Sequence, residues 1–250
     1  MQSIAVYSLK GGVGKTTLAV NLAWAAAVRS SRRTLLWDLD PQSAASFLLG
    51  AATAGRQEAQ AVFAKEVDPA KMIHKTATPR LDLLPADASL RGLDRFFFDL
   101  DKKKRLTKLV DRLGRDYDRI LLDAPPGLTE TSEQVLRAAD IILVPLIPSP
   151  LSQRAYQEVV TFLDRHAIRR GPILPVYNMV DRRRTLHRAA LAVHPDWPAI
   201  PMASAFEAMS ATPGEAARLG PDSPAARALA ALWTGIEKRL AKTVKAAKAD

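Results

Sequence analysis

Short apolar runs rich in β-branched residues alternate along the chain with longer stretches of helical spacing. The runs at 3–7, 34–37, 81–84, 119–122, 141–145 and 173–177 predict strands. Between them 15–28, 106–113, 130–138 and 151–166 repeat apolar positions three and four residues apart, which predicts helices. Strands separated by helices imply βαβ units, and so an α/β fold with a mostly parallel twisted sheet and helices on both faces. No repeat, low-complexity block or long linker interrupts 1–250, so one domain is expected. The segment 223–248 reads as a single terminal helix, with Ser223 as its cap and Pro224 at its first position. Leu229, Leu232, Trp233, Ile236, Leu240 and Val244 share one face, as in a helix packed on the sheet. The alternative, a membrane-targeting helix, is weakened because 241–250 holds no aromatic residue, leucine or isoleucine.

Composition narrows the chemistry. With 48% of 250 residues hydrophobic, the chain can bury a full core. The absence of cysteine excludes disulfides, thiolate metal sites and iron–sulfur clusters. The N-terminus is already a strand pattern without a signal-like segment, and no apolar stretch approaches the roughly 18 residues of a membrane span, so a cytoplasmic location is expected. The net charge of +10 points to a polyanionic partner, nucleic acid or an anionic membrane surface, or else to a basic proteome.

The densest chemistry lies between the first strand and the first helix. There Lys10-Gly11-Gly12-Val13-Gly14-Lys15-Thr16-Thr17 forms a glycine-rich turn. Its glycines let backbone N–H groups approach phosphate oxygens, and the helix end adds partial positive charge. Lys15 is placed to reach the β/γ-phosphates of ATP, the Thr16 hydroxyl to bind Mg²⁺, and Thr17 to hydrogen-bond a phosphate oxygen. The position five before Gly14 is Leu9 rather than glycine, and a second lysine, Lys10, stands beside the loop.

This octapeptide resembles the deviant Walker A loop of the ParA/MinD family of P-loop ATPases, and the likeness runs from about residue 2 to about residue 240. The resemblance implies an ATP-sandwich homodimer in which Lys10 crosses to the partner's ATP phosphates. The next strand ends in Asp38-Leu39-Asp40-Pro41-Gln42, which fits the family pattern. Carboxylates there point into the crevice where α/β sheets bind ligands. By resemblance Asp40 positions the attacking water and Asp38 supports the Mg²⁺ water shell. Arg119 to Gly127 resembles the Walker B strand, with Asp123 holding Mg²⁺ through water and Pro125 and Pro126 opening a switch-like loop. Asn178 occupies the place of the adenine-contacting residue and can offer its amide to the base. The later stretch from Ile200 to Phe206 departs from the family at Ala203, where an arginine is usual.

The family implies slow ATP hydrolysis that resets a dimer, stimulated by a ParB-like or cargo adaptor protein. Its output here is expected to be non-specific DNA binding on the nucleoid, serving to position a plasmid, chromosome or protein cluster. The segment 165–194 holds seven arginines against one acid, Asp181. Arg169, Arg170, Arg182, Arg183, Arg184 and Arg188, with Arg218, are the candidate phosphate contacts. Little aromatic interleaving argues against base stacking. A MinD-like membrane-associated ATPase is the alternative. Metabolic ligases sharing the loop would need a substrate pocket that the sequence does not identify, and nitrogenase-type iron proteins are excluded by the missing cysteines.

Overall fold

The computed structural model describes residues 1–51, 59–98, 104–168, 171–214 and 222–246. In chain order its elements begin with β1 (Gln2–Val6), α1 (Lys15–Arg29), β2 (Thr34–Asp38), α2 (Ala44–Leu48), α3 (Ala59–Ala64), β3 (His74–Lys75), β4 (Leu81–Leu84), α4 (Leu93–Phe97) and α5 (Arg105–Leu113). They continue with β5 (Arg119–Asp123), α6 (Glu130–Ala138), β6 (Ile141–Leu146), α7 (Pro150–Arg165), β7 (Ile173–Val180), α8 (Thr185–Val193), β8 (Ala199–Pro201), α9 (Ser204–Ala208) and α10 (Pro224–Ala246).

The eight strands form one sheet in the order β3-β4-β2-β5-β1-β6-β7-β8. Every neighbouring pair is parallel except β3–β4. Strands β2, β5 and β6 are buried along their whole length, as expected where helices cover both faces. One face carries a core built from Phe63, Leu93, Phe97, Leu106, Val110 and Leu163 beneath α3 to α7. The other is covered by α1 and α10 through Leu18, Leu22, Ala26 and Trp233.

All six predicted strands are present, and β2 and β5 run one residue further than predicted, ending on Asp38 and Asp123. The edge strands β3 and β8 carry no sequence signal, because two or three residues are too short to show a period. The same holds for the five-residue helices α2, α4 and α9.

The terminal helix packs on the sheet, as its apolar face predicts. Leu229, Leu232, Trp233, Ile236 and Leu240 are buried, each worth about 1.5–3 kcal/mol of burial. Trp233 Nε1 donates to Ser30 Oγ at 2.8 Å, and Arg119 forks onto Glu237 at 2.7 and 2.9 Å, tying α10 to α1 and to the start of β5. The side chain of Val244, expected on this face, lies outside the described residues. Among the described residues no helix is long and apolar enough to cross a membrane.

Strand β1 lies between β5 and β6. The chain leaves β1 toward β2 on one side and later crosses from β5 to β6 on the other. The loops at the carboxyl ends of these strands therefore diverge and open the crevice in which α/β sheets bind ligands.

Candidate active site

The loop after β1 rises from buried Tyr7 and Ser8 and closes on α1. Gly14 has φ +81°, and a Cβ there would stand 2.5 Å from Asn178 Nδ2 and 3.1 Å from Met179 Cε. Backbone conformation and space both require glycine. Asn178 in turn donates from Nδ2 to the Val13 carbonyl at 2.8 Å, fastening the loop to β7. It reaches the loop because β7 slips register against β8 between Tyr177 and Val180, with Met179 at φ +55°. A bulge of this kind re-aims a side chain that a regular strand would send elsewhere. No side chain caps α1 and no acid lies in its first turn, which leaves the N–H groups of this helix end to a ligand.

Beneath the loop, Asp38 and Asp123 are register partners on adjacent strands, and both are fully buried. Asp38 is held by the chain: Ser46 N–H at 2.9 Å, the Ser46 hydroxyl at 2.8 Å and Asp40 N–H at 3.2 Å all donate to it. Burial outweighs those bonds and pushes its carboxyl up to about 6. By strict hydrogen-bond geometry neither oxygen of Asp123 has a partner among the described residues, although the Thr16 hydroxyl is close enough to favour its charged form. Burial first, then the neighbouring Asp38, raises its carboxyl well above the usual range, while the Thr16 hydroxyl and Lys15 ammonium pull the other way. Lys15 is 7% exposed, and burial lowers its pKa against the attraction of Asp123 and Asp40.

A buried, unsatisfied polar group costs about 1–3 kcal/mol, and more when charged. Asp123, on which only Thr16 and Lys15 act favourably and neither with a well-aligned hydrogen bond, therefore marks a place that a further positive or hydrogen-bonding group would satisfy. Among the described residues no three His, Asp or Glu side chains converge to hold a metal by themselves. A cation fitting here would take the Thr16 hydroxyl, waters set by the two carboxylates and oxygens of a bound phosphate, which is how Mg²⁺ is commonly held.

Asp40 stands half-buried at the turn after β2, where its Oδ1 accepts Gln42 N–H at 2.9 Å and its carbonyl accepts Ser43 N–H at 2.9 Å. Lys10 is half-buried on the rim of the loop, and among the described residues its ammonium has no ion-pair partner. Beside Asn178 a mostly apolar cleft of about 90 Å³ runs between Gly14, Thr17, Met179, Phe206 and Leu229. Ala203 lines the same cleft, so the side chain that departs from the family pattern contributes a small apolar wall instead of a cation.

Two contributors carry little or no sequence signal. Ser46 fixes Asp38 from the one-turn helix α2 and also accepts Ala86 N–H at 2.9 Å. The buried Tyr7 hydroxyl donates to the Gly127 carbonyl at 3.0 Å, anchoring the loop after Asp123 to the first strand. Burial pushes the Tyr7 phenol up to about 12. A polar side chain at a strand end is the one signal that could have marked Tyr7, and Ser46 has none.

The arginines after β7 sit at the same carboxyl edge of the sheet. Arg182, Arg183, Arg184 and Arg188 are exposed. Arg183 forks onto Asp181 at 2.9 and 3.0 Å and holds that carboxyl down at about 2. Arg188 donates to the carbonyls of Arg182 and Arg183 at 3.1 and 2.9 Å. Buried His187 accepts Asp181 N–H at 3.0 Å on Nδ1, pinning the turn from inside. Arg182 and Arg184 have no ion-pair partner among the described residues. Arg169, Arg170 and Arg218 lie outside the described residues.

A protein-family profile described as "AAA domain" matches residues 1–170. The virulence plasmid ParA family protein pGP5-D of Chlamydia psittaci is 32% identical over 166 residues, which span 65% of this chain and 63% of the relative. The chain thus covers less than two thirds of that protein's length. The chromosome partitioning protein ParA of Caulobacter vibrioides is 32% identical over 197 residues, 74% of this chain and 72% of the relative. Among solved structures, an ATP complex of Cyanothece McdA(D38A) superposes with a TM-score of 0.78 at 22% identity, covering 96% of each chain. The cobyrinic acid a,c-diamide synthase of Mycobacterium smegmatis, with bound ADP and magnesium, superposes with a TM-score of 0.77 at 24% identity, covering 95% of this chain and 94% of the other. These two likenesses establish the fold.

Proposed function

The chain belongs to the ParA/MinD family of ATPases, and on that premise we propose that it hydrolyses ATP with Mg²⁺ to time a dimer that binds DNA non-specifically and positions a cargo. The observation that carries this reading is the unsatisfied Asp123 carboxylate beneath a loop whose helix end is uncapped. Backbone N–H groups of 11–17 cradle the phosphates, and Lys15 follows the charge that develops between the β- and γ-phosphates. Thr16, Asp38 and Asp123 would hold Mg²⁺, which neutralises phosphate charge when bound. Asp40, at the crevice mouth, orients the attacking water. Asn178 presents its remaining amide atoms to adenine in the apolar cleft. These roles rest on the chemistry of the residues and their positions in the family motifs.

Dimer closure is supported by the same rim. Phe47, Leu128, Leu151 and Met202 are 52%, 42%, 68% and 56% exposed, and they follow the carboxyl ends of β2, β5, β6 and β8. They share the carboxyl edge of the sheet with Lys10, which has no ion-pair partner among the described residues and would reach the partner's phosphates. A second copy would cover these apolar side chains and bring two arginine turns together. DNA is preferred over membrane as the output because the apolar face of α10 is already spent on the core. A cytoplasmic, nucleoid-associated protein of one domain over 1–250, with a ParB-like or cargo adaptor stimulating slow hydrolysis, completes the reading.

The test is co-sedimentation with duplex DNA or anionic liposomes, in ATP and in ADP. Salt-sensitive DNA binding in ATP alone, abolished in Lys10→Ala together with ATP-dependent dimerisation, is the expected result. Liposome binding without DNA binding would overturn the DNA output, and normal dimerisation of Lys10→Ala would overturn the trans role of that lysine.

A further inference from the structure

Away from the crevice, α3, α4 and the start of α5 enclose a recess of about 410 Å³. Phe63 and Phe96 line its apolar side, and Lys65, Lys104, Arg105 and Lys108 line the rest. Among the described residues no carboxylate lines it. Phe63 is fully buried and stacks on Trp37 with ring centroids 5.6 Å apart, so this wall is rigid.

The placement of the cations runs against helix electrostatics. Lys104 occupies the cap position of α5 without a side-chain cap bond, Arg105 begins the helix, and the first turn holds no acid. Lys108 follows one turn on. A helix start carries partial positive charge and favours anions. Here the charged side chains that line the recess, among the described residues, are all cations. Arg105 spends Nε on the Phe63 carbonyl at 2.9 Å, while its Nη2 is shielded from solvent and meets no acceptor among the described residues. Loss of solvent also lowers the pKa of that guanidinium. Among the described residues, neighbouring cations, a helix end without a side-chain cap and a guanidinium N–H without an acceptor are all relieved by one event, the arrival of an anion.

We propose that this recess is a second anion site, taking the phosphate group of a small, nucleotide-sized ligand whose apolar part lies along Phe63 and Phe96. Its concave shape favours such a ligand over duplex DNA, whose backbone would meet only the rim lysines. The recess lies over β2, through the Phe63–Trp37 stack, whereas the arginine turn lies at the β7–β8 side of the sheet. The two basic regions are therefore separate sites. Trp37 directly precedes Asp38, so the recess and the nucleotide crevice share one strand. The assignment does not depend on the ATPase reading.

The probe is pyrophosphate, titrated calorimetrically into the full chain with the phosphate loop saturated by ADP and Mg²⁺. One site is expected, weakened about tenfold or more in Lys104→Gln/Lys108→Gln. Both lysines are exposed, so this variant should keep the wild-type melting temperature. Arg105→Gln should weaken binding further. Absence of pyrophosphate binding, or equal binding by the double variant, would overturn the site. So would loss of duplex DNA affinity in the double variant without any pyrophosphate binding, which would make the patch a DNA surface. Failure of ADP to saturate the loop would instead count against the ATPase reading, and is scored separately in the same titration series.

Discussion

The centre of the sheet and the turn after β7 contain the same kinds of charged residue in opposite settings. At the centre, burial pushes the Asp38 carboxyl up to about 6. At the turn, Arg183 holds the Asp181 carboxyl down at about 2. In the centre the chain supplies too few partners, and among the described residues Asp123 has no well-aligned hydrogen bond, only Thr16 and Lys15 acting on it. At the turn the chain satisfies much of its own charge, through Arg183 on Asp181 and Arg188 on two carbonyls. A buried, unmet charge demands a ligand, whereas an exposed cluster with local partners only permits one.

The sharpest way to break the contrast is Lys15→Ala. Removing the buried cation proposed to face the phosphates should lower ATP turnover by about 10²–10³-fold or more, measured as phosphate release at saturating ATP. A loss below tenfold would mean that the central site is not where ATP is cleaved.

The next effect is on stability. A carboxyl whose pKa is higher folded than unfolded binds its proton more tightly in the native state. Between the ordinary carboxyl range and about 6, the native state holds a proton that the unfolded chain has lost, so ligand-free stability falls as pH rises through that window. Asp123 is shifted in the same direction and adds to the effect. Asp38→Asn should flatten the dependence and stabilise the ligand-free protein near pH 7.5 by about 1–3 kcal/mol. Melting temperatures from pH 4 to 8 test this, and a wild-type stability that rises across pH 4–6 would contradict it.

The smallest effect is at the turn. Removing Arg182 and Arg184, which have no ion-pair partner among the described residues, should reduce the slope of log affinity for DNA against log salt by about 1 for each phosphate no longer neutralised. Arg183→Ala, whose fork is already committed to Asp181, should change the slope less. If Arg183 proves the larger contributor, the ion pair opens on binding and the distinction between free and spent arginines fails.

Much of the site is legible in the sequence because its signals are contiguous. Eight residues specify the loop, and a run of apolar residues ending in aspartate specifies each acidic strand end. Six of the eight strands and the terminal helix follow from periodicity. The contributors that leave no such mark are those created by chain separation. Ser46 reaches Asp38 only because α2 folds back over the end of β2, and Tyr7 meets Gly127 across 120 residues. The Asn178 side chain meets the loop only because β7 is bulged, which no local pattern announces.

Local sequence is enough to establish the chemical inventory: a glycine-rich phosphate loop, two lysines beside it, and aspartates at the ends of two strands. Those features are legible because backbone freedom, helix ends and strand periodicity are local properties. Which of these charges are satisfied depends instead on how the chain is folded. β2 and β5 lie side by side in register, so Asp38 and Asp123 are buried together, and Asp38 is the better hydrogen-bonded of the two. Burial and hydrogen-bond supply are set by residues distant in sequence, and they turn a matching motif into a site that requires a ligand.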